Sequence, residues 1–154
     1  QEVADIMEDA LAHAGENYNT TIPIHNSLGA LGKTDALKNY IHREIAIYEE
    51  HLKKVPEDAR ARVLLAADYA KQDRFEEAKR EADMAMILRP DDSMILYNTA
   101  CVFCEMKNAG DALIAIKKAW ESGYRDATWT RQDPDLALLH GDPEFERLYP
   151  PPKA

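Results

Sequence analysis

The chain has 154 residues, with 19 Lys+Arg against 28 Asp+Glu and a net charge of −9, a length that buries roughly 70% of the unfolded surface in one core. That sign repels phosphate backbones and anionic lipid, and the basic pairs Lys53-Lys54 and Lys117-Lys118 are too short to reverse it, so neither nucleic acid nor a membrane is expected as a partner. No apolar run approaches the ~20 residues of a membrane span, and Cys101 and Cys104 make no disulfide framework, so a cytoplasmic location is expected. The opening Gln1 reads as the start of an excised or processed piece.

In chain order, Val3, Ile6, Met7, Ala10, Leu11 and Ala14 form one helical stripe over residues 2–14, ended by Gly15. Thr20, Thr21 and Pro23 suit a first turn, with Thr21 as N-cap, and predict a helix from Ile22 to Leu31 that Gly32 stops. Thr34 then caps a long helix to Lys54, whose apolar face is Leu37, Ile41, Ile45, Tyr48 and Leu52. Two helix pairs follow, Glu57–Lys71 with Arg74–Leu88, and Asp91–Lys107 with Ala109–Ser122, the last ended by Gly123. In the tail, Asp133-Pro134 and Asp142-Pro143 each place an N-cap aspartate before a proline at the first helical position. The short helices they open carry Leu136, Leu139, Phe145 and Leu148, preceded by Trp129, and are expected to cover the last exposed face before Pro150-Pro151-Pro152 ends the fold.

The two helix pairs repeat at a spacing of 34 residues. Pro56-Glu57-Asp58 returns as Pro90-Asp91-Asp92, and Leu65, Ala66, Tyr69, Ala78 and Ala85 meet Thr99, Ala100, Phe103, Ala112 and Ala119. Small residues recur where helices must approach closely, and aromatic ones where the gap is wide. That period implies helix–turn–helix units that stack, bury their faces against neighbours and leave a groove.

Numbered from Ala59, the residues Leu65, Ala66, Tyr69, Ala78, Ala85 and Pro90 stand at positions 7, 8, 11, 20, 27 and 32, and this resembles the tetratricopeptide repeat. The next unit, from Ser93, keeps Ala100, Phe103, Ala112 and Ala119 but has Tyr124 in place of the terminal proline. The strings Asn17-Tyr18-Asn19, Leu28-Gly29-Ala30-Leu31-Gly32, Leu96-Tyr97-Asn98-Thr99-Ala100-Cys101, Asp133-Pro134-Asp135-Leu136 and Asp142-Pro143-Glu144-Phe145 resemble, in order and spacing, the C-terminal repeat regions of bacterial eukaryotic-like serine/threonine kinases and class III adenylate or guanylate cyclases. The resemblance implies an all-α solenoid of about three repeats. Residues 1–16 would be a lead-in helix left from an upstream repeat, 17–55 a first repeat with a long second helix, 56–90 and 91–123 the second and third, and 124–154 a C-terminal cap and Pro-rich end. It also implies a regulatory or docking part of a signalling protein.

In such a stack the first helix of each repeat lines the groove. Here those positions are Arg60, Val63, Ala67, Ala70 and Lys71, then Met94, Tyr97, Asn98, Cys101, Cys104 and Glu105. Tyr97, Met94 and Val63 are expected as an apolar anchor pocket rimmed by Arg60 and Lys71, against the plainer reading that Tyr97 packs on a neighbouring helix. A protein or peptide is the expected ligand. Of the residues that grip chaperone C-termini in related domains only Asn98 is present, so chaperone tails are not expected.

Cys101-Val-Phe-Cys104 has the spacing of a zinc half-site or a redox pair, but it lies inside a helix and not at its N-terminus, so small-residue packing is the favoured reading. The five histidines form no i, i+4 metal pair, and His25 reads as a partly exposed helical residue. Glu76, Glu77, Glu81 and Asp83, interleaved with Lys79 and Arg80, read as a solvated face with Glu76–Lys79 and Glu76–Arg80 pairs. No catalytic set can be assembled, so no enzyme activity, cofactor or metal is expected. Two alternatives stay open: a homodimer through the uncovered 2–14 helix, and a thiol or metal sensor through Cys101 and Cys104.

Overall fold

A computed structural model describes residues 17–151, so the expected 2–14 helix and the self-association drawn from it lie outside the described residues. Within them the fold is all-α: α1 (Ile22–Ala30), α2 (Thr34–Lys54), α3 (Ala59–Lys71), α4 (Phe75–Leu88), α5 (Ser93–Glu105), α6 (Ala109–Glu121), α7 (Ala127–Gln132) and α8 (Pro143–Leu148). Short 3-10 turns at Tyr18–Thr20 and Pro134–Leu139 precede α1 and α8. No described helix is long and apolar enough to cross a membrane.

The 34-residue spacing is visible in the backbone. Ala59 to Ser93 and Phe75 to Ala109 are each 34 residues, and so are the caps that start the first helices. Asp58 accepts from the Ala61 N–H at 3.0 Å, and Asp92 from the Met94 and Ile95 N–H groups at 3.0 and 3.1 Å. Those caps correct the expected starts at Glu57 and Asp91. An aspartate whose side chain holds the first free N–H groups is itself outside the helix, in extended conformation.

Four helices also end alike. The N–H of Lys33, Arg74, Asn108 and Tyr124 reaches back to the carbonyl of Leu28, Tyr69, Phe103 and Ala119, at 2.9–3.0 Å. Each reach is made possible by a left-handed residue just before it: Gly32, Asp73, Lys107 and Gly123.

Three local expectations are corrected. Thr21 stands at the N-cap position of α1 but makes no side-chain capping bond. Its backbone is already right-handed helical, and its hydroxyl donates instead to the Tyr18 carbonyl at 2.8 Å, tying α1 to the turn before it. Thr34 is the first residue of α2 and not its cap. Helix α7, capped by Asp126 on the Trp129 N–H at 2.9 Å, adds an element that the spacing does not predict. Asp133 and Asp142 cap as expected, although Asp133 opens a 3-10 turn.

Consecutive helices pack as pairs, α3 with α4 and α5 with α6, while α3 also packs on α5 and α5 on the 134–139 turn. The spaced small residues Ala66, Ala78, Ala85, Ala100, Ala112 and Ala119 are all at 0% exposure. A methyl group at these positions lets the helix axes close up, and the rings of Tyr69 and Phe103 fill the wider gaps.

The charges on α4 do more than face solvent. Glu81 is buried and ion-paired with Arg62 of α3, and Lys79 reaches Asp111 of α6 at 2.7 Å. Within α4 and its start Glu77 pairs with Arg74 and Arg80 turns to Glu81, while Lys79 is drawn to Asp111, and these contacts stand in place of the expected Glu76 pairs.

Candidate functional site: a groove along α3 and α5

Residues 60, 63, 64, 67 and 71 fall at i+3 and i+4 spacings, so α3 turns them to one side. Residues 94, 97, 98, 101 and 105 are their partners 34 positions on and do the same in α5. The two faces lie side by side and form the floor of a groove of about 440 Å³. Arg60, Val63, Ala67, Lys71, Met94, Tyr97, Asn98, Cys101 and Glu105 all line it. Ala70 and Cys104, also placed in the groove by the spacing, turn into the core instead and are 2% and 3% exposed.

The roles within the groove differ from expectation. Tyr97 is 3% exposed, and its hydroxyl donates to Asp133 Oδ2 at 2.5 Å. Its ring lies 4.3 Å from that of Tyr124, centre to centre. Burial, and then the Asp133 bond, push its pKa up, so the hydroxyl stays a donor. Tyr97 is therefore packed against the chain's C-terminal part, and Val63 is also buried, so neither offers an open anchor.

The apolar surface that the groove does offer is Met94 and Trp129, 51% and 52% exposed. Trp129, which the sequence places only as preceding the short helices, lines the groove wall. Six residues show too little periodicity to place a helix face, so the register of α7 is not legible in its own segment. Ile22 and Asn26 of α1, Ile95 and Val102 of α5, and Tyr124, Asp133 and Asp135 of the C-terminal segment also line it.

The charges separate along the walls. Arg60 and Lys71 stand on α3, with Arg60 donating to Asn19 Oδ1 at 2.6 Å. Glu105 stands on α5, and Asp133 and Asp135 beside the cap. Burial, with Asp133 next, raises the pKa of Asp135.

The cysteines sit among these acids. Burial, then Asp133 and Asp135, push the Cys101 thiol well up, and burial pushes Cys104 up to about 12. A redox or zinc pair needs the opposite, a stabilised thiolate. Both side chains serve here as small apolar groups against Tyr97 and the core.

His25 does more than its expected role as a partly exposed helical residue. It lies against Glu44 of α2 and Asp68 of α3, beside the α1 end of the groove. No local signal marks this cluster, because the three residues are separated by 19 and 24 positions and meet only when three helices pack.

No family model matches the chain, and no solved structure matches it significantly. The chain is 30% identical over 111 residues to a chloroplastic protein of Arabidopsis thaliana, a match covering 69% of this chain and 33% of that protein. The chain thus spans about a third of the length of the curated relative it matches.

Proposed function

We propose that this chain is a tetratricopeptide-type scaffold, an α-solenoid of three helix pairs closed by a C-terminal cap, which holds a peptide segment of a partner protein in its groove. The observation that carries this reading is positional. Nine residues picked from the 34-residue register line one groove, and the rim of that groove exposes a methionine and a tryptophan. Rigid aromatic and flexible thioether side chains at a groove edge are common anchors for peptide ligands.

The wall chemistry defines the ligand. An apolar side chain would sit between Met94 and Trp129, a carboxylate would face Arg60 and Lys71, and a basic group would face Glu105 and Asp135. The resemblance to repeat regions of bacterial kinases and cyclases supplies the setting, a docking part of a signalling protein.

The test is selection of short random peptides on the immobilised domain, followed by fluorescence anisotropy with each enriched peptide. Peptides carrying an apolar anchor between opposite charges should emerge. Their affinity should fall at least about tenfold for Met94→Glu and Trp129→Ala variants whose circular dichroism is unchanged. Equal binding to both variants, or no enrichment, would overturn the reading.

A further inference from the structure

Glu44 is 1% exposed, although it is a carboxylate inside an otherwise apolar helix face. Asp68 is 3% exposed and lies on the neighbouring helix. The His25 Nδ1 sits 2.6 Å from Glu44 Oε2 and 3.9 Å from Asp68 Oδ1. One potential ligand atom from each residue falls within 4.8 Å of the other two.

Asp68 Oδ2 is the telling atom. It is buried and has no hydrogen-bond partner among the described residues, in a side chain with 4% relative exposure. A buried acceptor left in that state costs roughly 1–3 kcal/mol, more if charged. The same three residues line a cavity of about 150 Å³ with Ile22, Asn26 and Lys71, roomy enough for an ion and its remaining water.

Two buried carboxylates facing one imidazole carry an excess of negative charge, and something must offset it. The hydroxyls of Tyr40 and Tyr48 lie beside the cluster but turn away. Tyr40 donates to the Thr21 carbonyl, and Tyr48 is bonded to the Thr21 hydroxyl. Burial, then the Glu44 charge, raises the pKa of Asp68, and the Lys71 charge only partly opposes them.

We propose that His25, Glu44 and Asp68 form a binding site for a divalent transition-metal ion of the Zn²⁺ class. One imidazole nitrogen and two carboxylates suit Zn²⁺, Co²⁺ and Mn²⁺ better than Mg²⁺, which favours oxygen ligands alone. Ligand distances of ~2.0–2.2 Å need donor atoms spread around the ion. The hydrogen bond now joining His25 Nδ1 and Glu44 Oε2 is therefore broken as the ion enters, its proton passing to the other imidazole nitrogen or to solvent, and those two atoms move apart. Asp68 Oδ1 or Oδ2 supplies the third bond, and the ion links α1, α2 and α3 at one end of the groove.

The experiment titrates Zn²⁺ into EDTA-treated, dialysed full chain by calorimetry in two buffers of different ionisation enthalpy. Co²⁺ absorption reports coordination, and thermal unfolding is followed with and without Zn²⁺. One equivalent should bind and raise the Tm, the two buffers giving the number of protons displaced. Asp68→Asn and His25→Ala should each weaken binding by more than about tenfold. Asp68→Asn should also keep or raise the Tm of metal-free protein, since it removes a carboxyl whose ionised form burial disfavours. That separates a metal ligand from a group needed only for folding. Absence of saturable binding in the parent chain would show that the cluster is a hydrogen-bonded packing contact alone, and equal binding in the variants would place the ion elsewhere. Either result overturns the proposal.

Discussion

The Tyr97 hydroxyl donates to Asp133 Oδ2 at 2.5 Å, joining the middle of α5 to the residue that caps the 134–139 turn. Asp133 divides its oxygens, with Oδ1 accepting from the Asp135 N–H at 3.0 Å and Oδ2 from Tyr97. One carboxylate thus starts the C-terminal cap and fastens it to the groove floor. Tyr97→Phe leaves that buried oxygen without its donor and should destabilise the fold by about 1–3 kcal/mol. The check is a urea midpoint, together with amide exchange that quickens across residues 134–148 and not in α3.

Asp58 links pH to stability. Burial alone would raise its pKa, but bonds from the Ala61 N–H, then His51 at 2.8 Å and Tyr18 at 3.1 Å, outweigh it and hold the carboxyl below its ordinary 3.8. A lowered folded pKa means the ionised form favours the folded state. That contribution is present above 3.8 and disappears as pH falls through the lower folded value. Asp58→Asn should keep the cap and flatten this acid limb in a series of urea midpoints against pH. Asp58→Ala should lose the cap as well, at about 1 kcal/mol near neutral pH.

Helix spacing can be probed at Ala100, which has no exposed surface where α5 meets its neighbours. Ala100→Leu should cost about 1–3 kcal/mol or more by overpacking. The same change at Ala46, exposed on α2, should stay within about 0.5 kcal/mol. Equal costs in chemical denaturation would mean that the helices do not depend on the small residue.

Thiol chemistry separates packing from sensing. With Cys104 pushed up to about 12 from 9.0, neutral pH leaves roughly a thousandfold less thiolate than at an ordinary cysteine. A disulfide exchange reagent should label the native chain slowly and both thiols rapidly in denaturant. Fast native labelling would favour the sensor reading.

Much of the fold was legible because its signals are local. Asp133 and Asp142 announce starts through the capping chemistry of their own side chains, and Gly32 and Gly123 announce ends by tolerating a left-handed backbone. The alternation of alanine with tyrosine or phenylalanine at 34-residue spacing marks where helices meet, since side-chain volume limits how closely they pack. The nine groove positions follow from the same count, because i+3 and i+4 spacing fixes which side chains share a helix face.

What the sequence could not decide was which of those side chains stay open. Tyr97 is covered and Trp129 exposed because the chain after Gly123 folds back over α5, a contact between residues 36 positions apart. The meeting of His25, Glu44 and Asp68 is of the same kind. The faces of the long helices, and their ends to within a residue or two, are set by interactions within a few residues, so the sequence alone determined them. Burial of a particular hydroxyl, or the approach of two carboxylates from different helices, depends on how whole helices pack, and only the tertiary structure decided it.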